Sequence, residues 1–245
     1  MVDFNTTDIM GCPCQYFKDI DEAKGYTRGM LSDFKGGYTV AINAEKVLMY
    51  QEQQTFRDLV QNAAILIPDG AGAVKAMKLL QGKKSIKLDF PKLILELSDE
   101  NKLRLFVLGA TEDSNKGAYI NIKNKYPDIN MVGRMNGFFN SKIEVVEALK
   151  NARPQVILVA LGSPKQEYFS ASIYKEIPDA LFVGCGGAID VLSGKVKRAP
   201  FFIMENNIEW LYRLISEPRR IKRQKNLPRF VFKFIKAILI NKFNL

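Results

Sequence analysis

Apolar runs and polar interruptions take turns along this chain, and their spacing predicts strands and helices in alternation. Tyr38 to Asn43 (YTVAIN), Ala63 to Ile67, Arg104 to Gly109 (RLFVLG), Asn130 to Gly133, Val156 to Leu161 (VILVAL) and Ala180 to Val183 (ALFV) read as strands. Helical spacing covers about 21–34, 44–60, 71–80, 114–126 and 142–152. Val156 to Leu161 contains no polar residue, as expected of a strand buried on both faces of a parallel sheet. The strand and helix order therefore predicts an α/β protein with a mainly parallel sheet and helices on both faces. The one sharp shift in composition falls near Pro200, which divides a core over 1–200 from a basic, amphipathic helical appendage over 201–245.

After Leu161 the apolar run gives way to Gly162, Ser163 and Pro164. Ser163 is expected to cap a new helix, with Pro164 as its first residue and Gln166 and Glu167 in its first turn. A strand end feeding a helix N-terminus offers free backbone N–H groups to an anion such as a diphosphate, and Gln166 is expected to aim at the same crevice.

At 245 residues and 47% hydrophobic content, the chain can bury a large core. Its net charge of +10 is concentrated after Glu217, where no acidic residue occurs. Cys12, Cys14 and Cys185 cannot all pair, and Cys12-Pro13-Cys14 lacks a second half for a zinc site, so reduced thiols and a cytoplasmic location are expected. The first residues lack the apolar stretch of a signal peptide, and no run reaches the ~18–20 residues of a spanning helix. The absence of histidine excludes a Ser-His-Asp triad and histidine metal ligation.

Asn43, Asp69, Gly109, Gly133, Gly162 and Gly184 all fall at predicted strand ends, so a single crevice can collect them. Asp69, after an apolar strand and Pro68, is the candidate general base; the competing reading makes it a cap or turn residue before Gly70. Gly184, Gly186 and Gly187 permit close backbone approach, and Asp190 follows as a phosphate or ribose contact. The spacing is not the dinucleotide fingerprint, and no G-K-[ST] phosphate loop occurs. Asp19-Ile20-Asp21 has the form of a D-x-D metal motif but reads better as a helix cap outside the crevice. Phe138, in Gly137-Phe138-Phe139, offers a stacking platform for a base, with core packing as the alternative. Lys195, Lys197 and Arg198 suit either phosphates or a solvated loop.

These stretches occur in an order that resembles the WecG/TagA/CpsF glycosyltransferase family over most of the chain. They are INAEKV at 42–47, PDG at 68–70, FVLG at 106–109, NGFF at 136–139, GSPKQE at 162–167, GCGGAIDVLSGKVKRAP at 184–200 and EWLYRLISEPRRIKR at 209–223. The resemblance implies a Rossmann-like fold with a membrane-directed C-terminal appendage. It also implies transfer of an N-acetylmannosamine-type sugar from a UDP donor to polyprenyl-diphosphate-linked N-acetylglucosamine, in polysaccharide synthesis. By the same resemblance, Asp69 takes the base position and Asn43 and Gln166 line the pocket. Arg213, Arg220 and Arg223 belong to the appendage that completes the site and, with helix N-termini, carry the leaving-group charge without a bound metal or cofactor. Two departures bear on the donor sugar: Ala41 stands where many members have threonine, and Lys84 to Asp89 (KSIKLD) replaces a segment that usually reads arginine, glycine, aspartate.

The reading that results is an inverting glycosyltransferase, peripheral on the inner face of the cell membrane. Its rivals are a non-catalytic nucleotide-binding or scaffold protein and, from the basic tail alone, a nucleic-acid binder; no nucleic-acid partner is expected. From Pro228 to Ile240, Arg229, Lys233 and Lys236 share one helix face, while Phe230, Val231, Phe234, Ile235 and Ile238 share the other. That segment is expected to lie on an anionic membrane surface. The alternative is packing on its own domain or on a second subunit, which leaves a homo-oligomer open.

Overall fold

A computed structural model of the protein describes residues 5–32, 36–197, 200, 203, 212 and 226–243. The chain opens with an antiparallel hairpin, β1 (Thr6–Ile9) and β2 (Cys12–Gln15), then α1 (Ile20–Ser32). It continues through β3 (Gly37–Ile42), α2 (Ala44–Glu52), α3 (Gln54–Gln61), β4 (Ile65–Pro68), α4 (Gly70–Gln81) and α5 (Phe90–Glu100). Next come β5 (Arg104–Gly109), α6 (Glu112–Lys125), β6 (Asn130–Met135) and α7 (Lys142–Ala152). The last elements are β7 (Val156–Ala160), α8 (Lys165–Ile173), β8 (Leu181–Gly184), α9 (Ala188–Leu192) and, farther on, α10 (Leu227–Phe243).

Strands β3 to β8 form one six-stranded parallel sheet in the order β4-β3-β8-β7-β5-β6. Successive strand residues alternate between two cores, as the two-residue side-chain period requires. Phe106, Leu108, Ile157, Val159 and Phe182 face α2, α3, α4, α7 and α8. Leu105, Val107, Val156, Leu158 and Val183 face α1, α5, α6 and α9. Crossovers toward the β4 edge carry α2, α3, α7 and α8 on the first face; toward the β6 edge, α6 lies on the second face, and the long β4-to-β5 connection starts with α4 on the first face and returns through α5 on the second. The expected mainly parallel α/β architecture is thus observed.

The N-terminal hairpin, absent from the predicted elements, protects the β4 edge. Its two-residue turn, Met10-Gly11, has both φ angles positive, at 52° and 85°. Gln15 Oε1 accepts from the Leu66 amide, and the Cys14 thiol donates to the Leu66 carbonyl, so the outer backbone groups of that edge residue are engaged. Other boundaries moved for local reasons. The helix expected over 44–60 breaks at Gln53, whose φ of −123° and ψ of 112° are extended. Strand β6 runs past Gly133 to Met135, because Gly133 is not a terminus: a Cβ there would meet the Phe106 ring at 2.6 Å.

Helix α10 corrects the expected division of faces in the tail. Phe230 is buried against the first core and Phe234 is half-buried beside it, with their rings stacked 6.1 Å apart. Arg229 and Lys233 bind the Glu52 carboxylate at 3.0 and 3.1 Å, and Asn241 donates to the Leu80 carbonyl at 3.4 Å. The apolar surface that remains outward is Leu227, Val231, Phe232, Ile235, Leu239 and Ile240. Among the described residues, no helix is long and apolar enough to cross a membrane.

Candidate active site

Because all six strands run in one direction, their C-terminal ends share one edge, and β8 sends its following helix to the opposite face from those of its neighbours β3 and β7. The loops part above these strands, where ligands collect in such sheets. Asp69 sits there as the residue preceding α4, with its amide donating to the Ile42 carbonyl at 3.0 Å. It occupies the capping position, yet its carboxylate makes no capping bond. Instead Asn43 Nδ2 donates to Asp69 Oδ2 at 3.3 Å. Asn43 is itself the cap of α2, its Oδ1 accepting from the Lys46 amide at 3.2 Å, which fixes the amide that meets Asp69.

The polar chain continues through α2 into α8. Lys46 Nζ is paired with Glu167 Oε1, and both side chains are shut off from solvent, at 3% and 1% exposure. Gln166 Nε2 donates to the same Glu167 oxygen at 3.2 Å, while Gln166 Oε1 accepts from the Gly186 amide at 3.1 Å. Gly184 has to be glycine at this contact, since a Cβ would stand 2.5 Å from Gln166 Nε2. Gln166 is therefore buried as a tie between α8 and the Gly184–Gly187 turn. The expected cap of α8 is corrected: Pro164 holds the position before the helix, Ser163 lies outside it, and the Gly162 carbonyl accepts from the Gln166 amide at 2.8 Å.

On the β6 side the loops are closed by backbone contacts. Gly109 has φ 106° and lies so near β7 that a Cβ would meet the Ala160 carbonyl oxygen at 2.5 Å. The Ala110 amide donates to Ala160 at 2.8 Å, and the Gly137 amide donates to Ala110 at 2.8 Å. Asn115 Nδ2 donates to the Gly109 and Met135 carbonyls, each at 2.9 Å. Arg134 and Asn136 hold the Glu112 carboxylate at 2.7 and 2.9 Å. The hydrogen bonds from Arg134 and then Asn136 lower its pKa to about 2. Asp190 Oδ1 accepts from Ser114 Oγ at 2.8 Å, which ties α9 to the start of α6. Phe138 is 76% exposed, whereas its neighbour Phe139 packs against Phe169 with ring centroids 5.3 Å apart. Asp19 caps α1 by accepting from the Glu22 amide at 2.8 Å. The segment 82–88 passes beside the site, with the Leu88 amide donating to the Pro68 carbonyl at 3.5 Å. Arg213, Arg220 and Arg223 lie outside the described residues.

Burial pushes the Cys185 thiol up to about 12, so the cysteine nearest the crevice is no nucleophile at neutral pH. Lys46 and Asn115 are not among the residues the sequence points to, and Glu167 is read there only as a polar first-turn residue. Lys46 and Glu167 stand inside motifs where a charge reads as solvated. Asn115 carried a usable signal: with Ala118 and Ile122 it falls on one helical stripe that faces the core.

The sequence profile of the glycosyl transferase WecG/TagA/CpsF family matches residues 7–244 of this chain. An N-acetylglucosaminyldiphosphoundecaprenol N-acetyl-beta-D-mannosaminyltransferase of Bacillus subtilis (strain 168) is 32% identical over 204 residues, which cover 82% of this chain and 80% of that protein. A protein of the same name from Bacillus spizizenii is 31% identical over 209 residues, covering 84% and 81% respectively.

Proposed function

The chain belongs to the WecG/TagA/CpsF family of glycosyl transferases, and from that premise we propose that it moves an N-acetylmannosamine-type sugar from a UDP donor to a polyprenyl-diphosphate-linked N-acetylglucosamine. The observation that carries the reading is Asp69: a carboxylate at the strand-end edge, free of the capping duty its position invites and held instead by Asn43. Asp69 takes the proton of the acceptor hydroxyl. The hydroxyl oxygen bonds to the anomeric carbon from the side opposite UDP, the bond from that carbon to the diphosphate oxygen breaks, and UDP leaves with the electron pair, inverting the centre. The positive end of α8 and the close backbone approach that the Gly184–Gly187 turn permits suit the diphosphate, and Arg213, Arg220 and Arg223 are assigned to its charge. No metal or other cofactor has a step in this scheme.

The names of both relatives favour turnover over a binding-only scaffold role. A peripheral position on the inner membrane face follows from the lipid-linked acceptor, with the outward stripe of α10 resting on anionic lipid. Replacement Asp69→Asn tests the assignment. Turnover should fall roughly 10²- to 10⁴-fold with UDP affinity and melting temperature retained. Undiminished turnover in a clean preparation of the variant would remove Asp69 from the mechanism.

A further inference from the structure

We propose that the buried Lys46–Glu167 pair is the positioning element of the donor half of this site, acting through Gln166 on the Gly184–Gly187 turn; this rests on the transferase reading above. Lys46 belongs to α2 and Glu167 to α8, two helices that start at the ligand edge of the sheet. The pair is their only ion pair with both side chains inaccessible among those described. One Glu167 oxygen receives both Lys46 Nζ and Gln166 Nε2. The other, Oε2, is buried and finds no hydrogen-bond partner among the described residues.

A pair that only stabilised the fold would be a poor choice here. Two charges are taken out of water, one oxygen has no partner among the described residues, and a well-packed apolar pair of similar volume stabilises as well or better. What an apolar pair cannot do is orient an amide. The shared Glu167 oxygen fixes Gln166 Nε2, which leaves Gln166 Oε1 aimed at the Gly186 amide. The same lysine's backbone amide holds the Asn43 side chain that meets Asp69. One residue of α2 thus stands between the proposed base and the proposed diphosphate turn, and the Glu167 link sets the donor side of the pair.

The test compares wild type with the double variant Lys46→Met/Glu167→Leu, alone and with Gln166→Ala added. Readouts are melting temperature, UDP affinity by calorimetry, amide hydrogen exchange at Gly186, and separate KM values for donor and acceptor. The double variant should fold, bind UDP about tenfold more weakly, exchange its Gly186 amide faster and raise the donor KM while leaving the acceptor KM alone. Adding Gln166→Ala should change UDP affinity by less than about twofold, because its orientation is already lost. A folded double variant with wild-type UDP affinity and Gly186 exchange overturns the proposal. Should the double variant fail to fold, Glu167→Gln is measured the same way: an unchanged UDP affinity together with unchanged Gly186 exchange overturns it, and losses in both support it. Wild-type protein that binds UDP but transfers no sugar refutes the transferase reading and leaves this one standing. Wild type that does not bind UDP overturns both readings.

Discussion

Replacing Gly184 by alanine probes the polar chain with a single methyl group. The backbone of Gly184 is not in the left-handed region, so alanine meets no conformational penalty there, and the effect is steric. The new Cβ would stand 2.5 Å from Gln166 Nε2 and 3.2 Å from its Cδ. Gln166 has no slack, because its two amide atoms are tied to Glu167 at 3.2 Å and to the Gly186 amide at 3.1 Å. Making room therefore breaks both bonds. The neutral one is worth about 1 kcal/mol and the one to a carboxylate about 1.5–3 kcal/mol, so Gly184→Ala should destabilise the fold by about 2.5–4 kcal/mol. Urea unfolding measures this, with an unchanged slope showing that the denatured state is not the cause. Gly29→Ala is the control: nothing lies within 4 Å of its would-be Cβ, and α1 should gain up to about 1 kcal/mol from alanine's helix propensity. A loss under about 0.5 kcal/mol at Gly184 would show that Gln166 is not held as described.

Glu112 predicts an acid limb of stability. Its folded pKa of about 2 lies below the ordinary 4.5, so the Arg134 contact contributes above about 4.5 and is lost as pH falls toward about 2. Wild type and Glu112→Gln should differ in melting temperature near neutral pH and converge at about pH 2; the carboxylate is solvent-exposed, so the difference should be small and shrink in high salt. In the tail, Phe230→Ala should cost about 3–5 kcal/mol, since the ring is buried on the core. Phe232→Ser, at a ring 71% exposed, should leave stability within about 0.5 kcal/mol. Combined with Val231→Ser and Ile235→Ser, it should reduce flotation with anionic liposomes, and undiminished recovery would exclude the outward stripe as the lipid contact.

The central strands were legible because a strand buried on both faces leaves an unbroken apolar run, as Val156–Ala160 does. Their order also places Asp69, Asn43 and the glycine turns on one edge from sequence alone. Other features depended on partners distant in sequence. Nothing near Gln53 announces a helix break, and Thr6–Ile9 has too few apolar residues to read as a strand until it covers the β4 edge. Helix α5 carries signals of its own, Asp89 capping and Pro91 in its first turn, although the expected elements do not include it. The tail pattern showed amphipathicity, yet with apolar residues on two sides it did not say that Phe230 turns inward and Phe232 outward. Lys46 and Glu167 stand 121 residues apart; as single charges in polar motifs each looks solvated, and only the fold, which starts α2 and α8 at the same edge of the sheet, makes them a pair.

The most direct measurement is a donor panel: UDP-sugars offered to full-length protein with a synthetic prenyl-diphosphate-linked N-acetylglucosamine, read by product mass. The account predicts a product heavier by one N-acetylhexosamine residue, formed fastest with the N-acetylmannosamine donor, with stoichiometric release of UDP. No mass gain with any UDP-sugar, from protein that is folded and binds UDP, would contradict it.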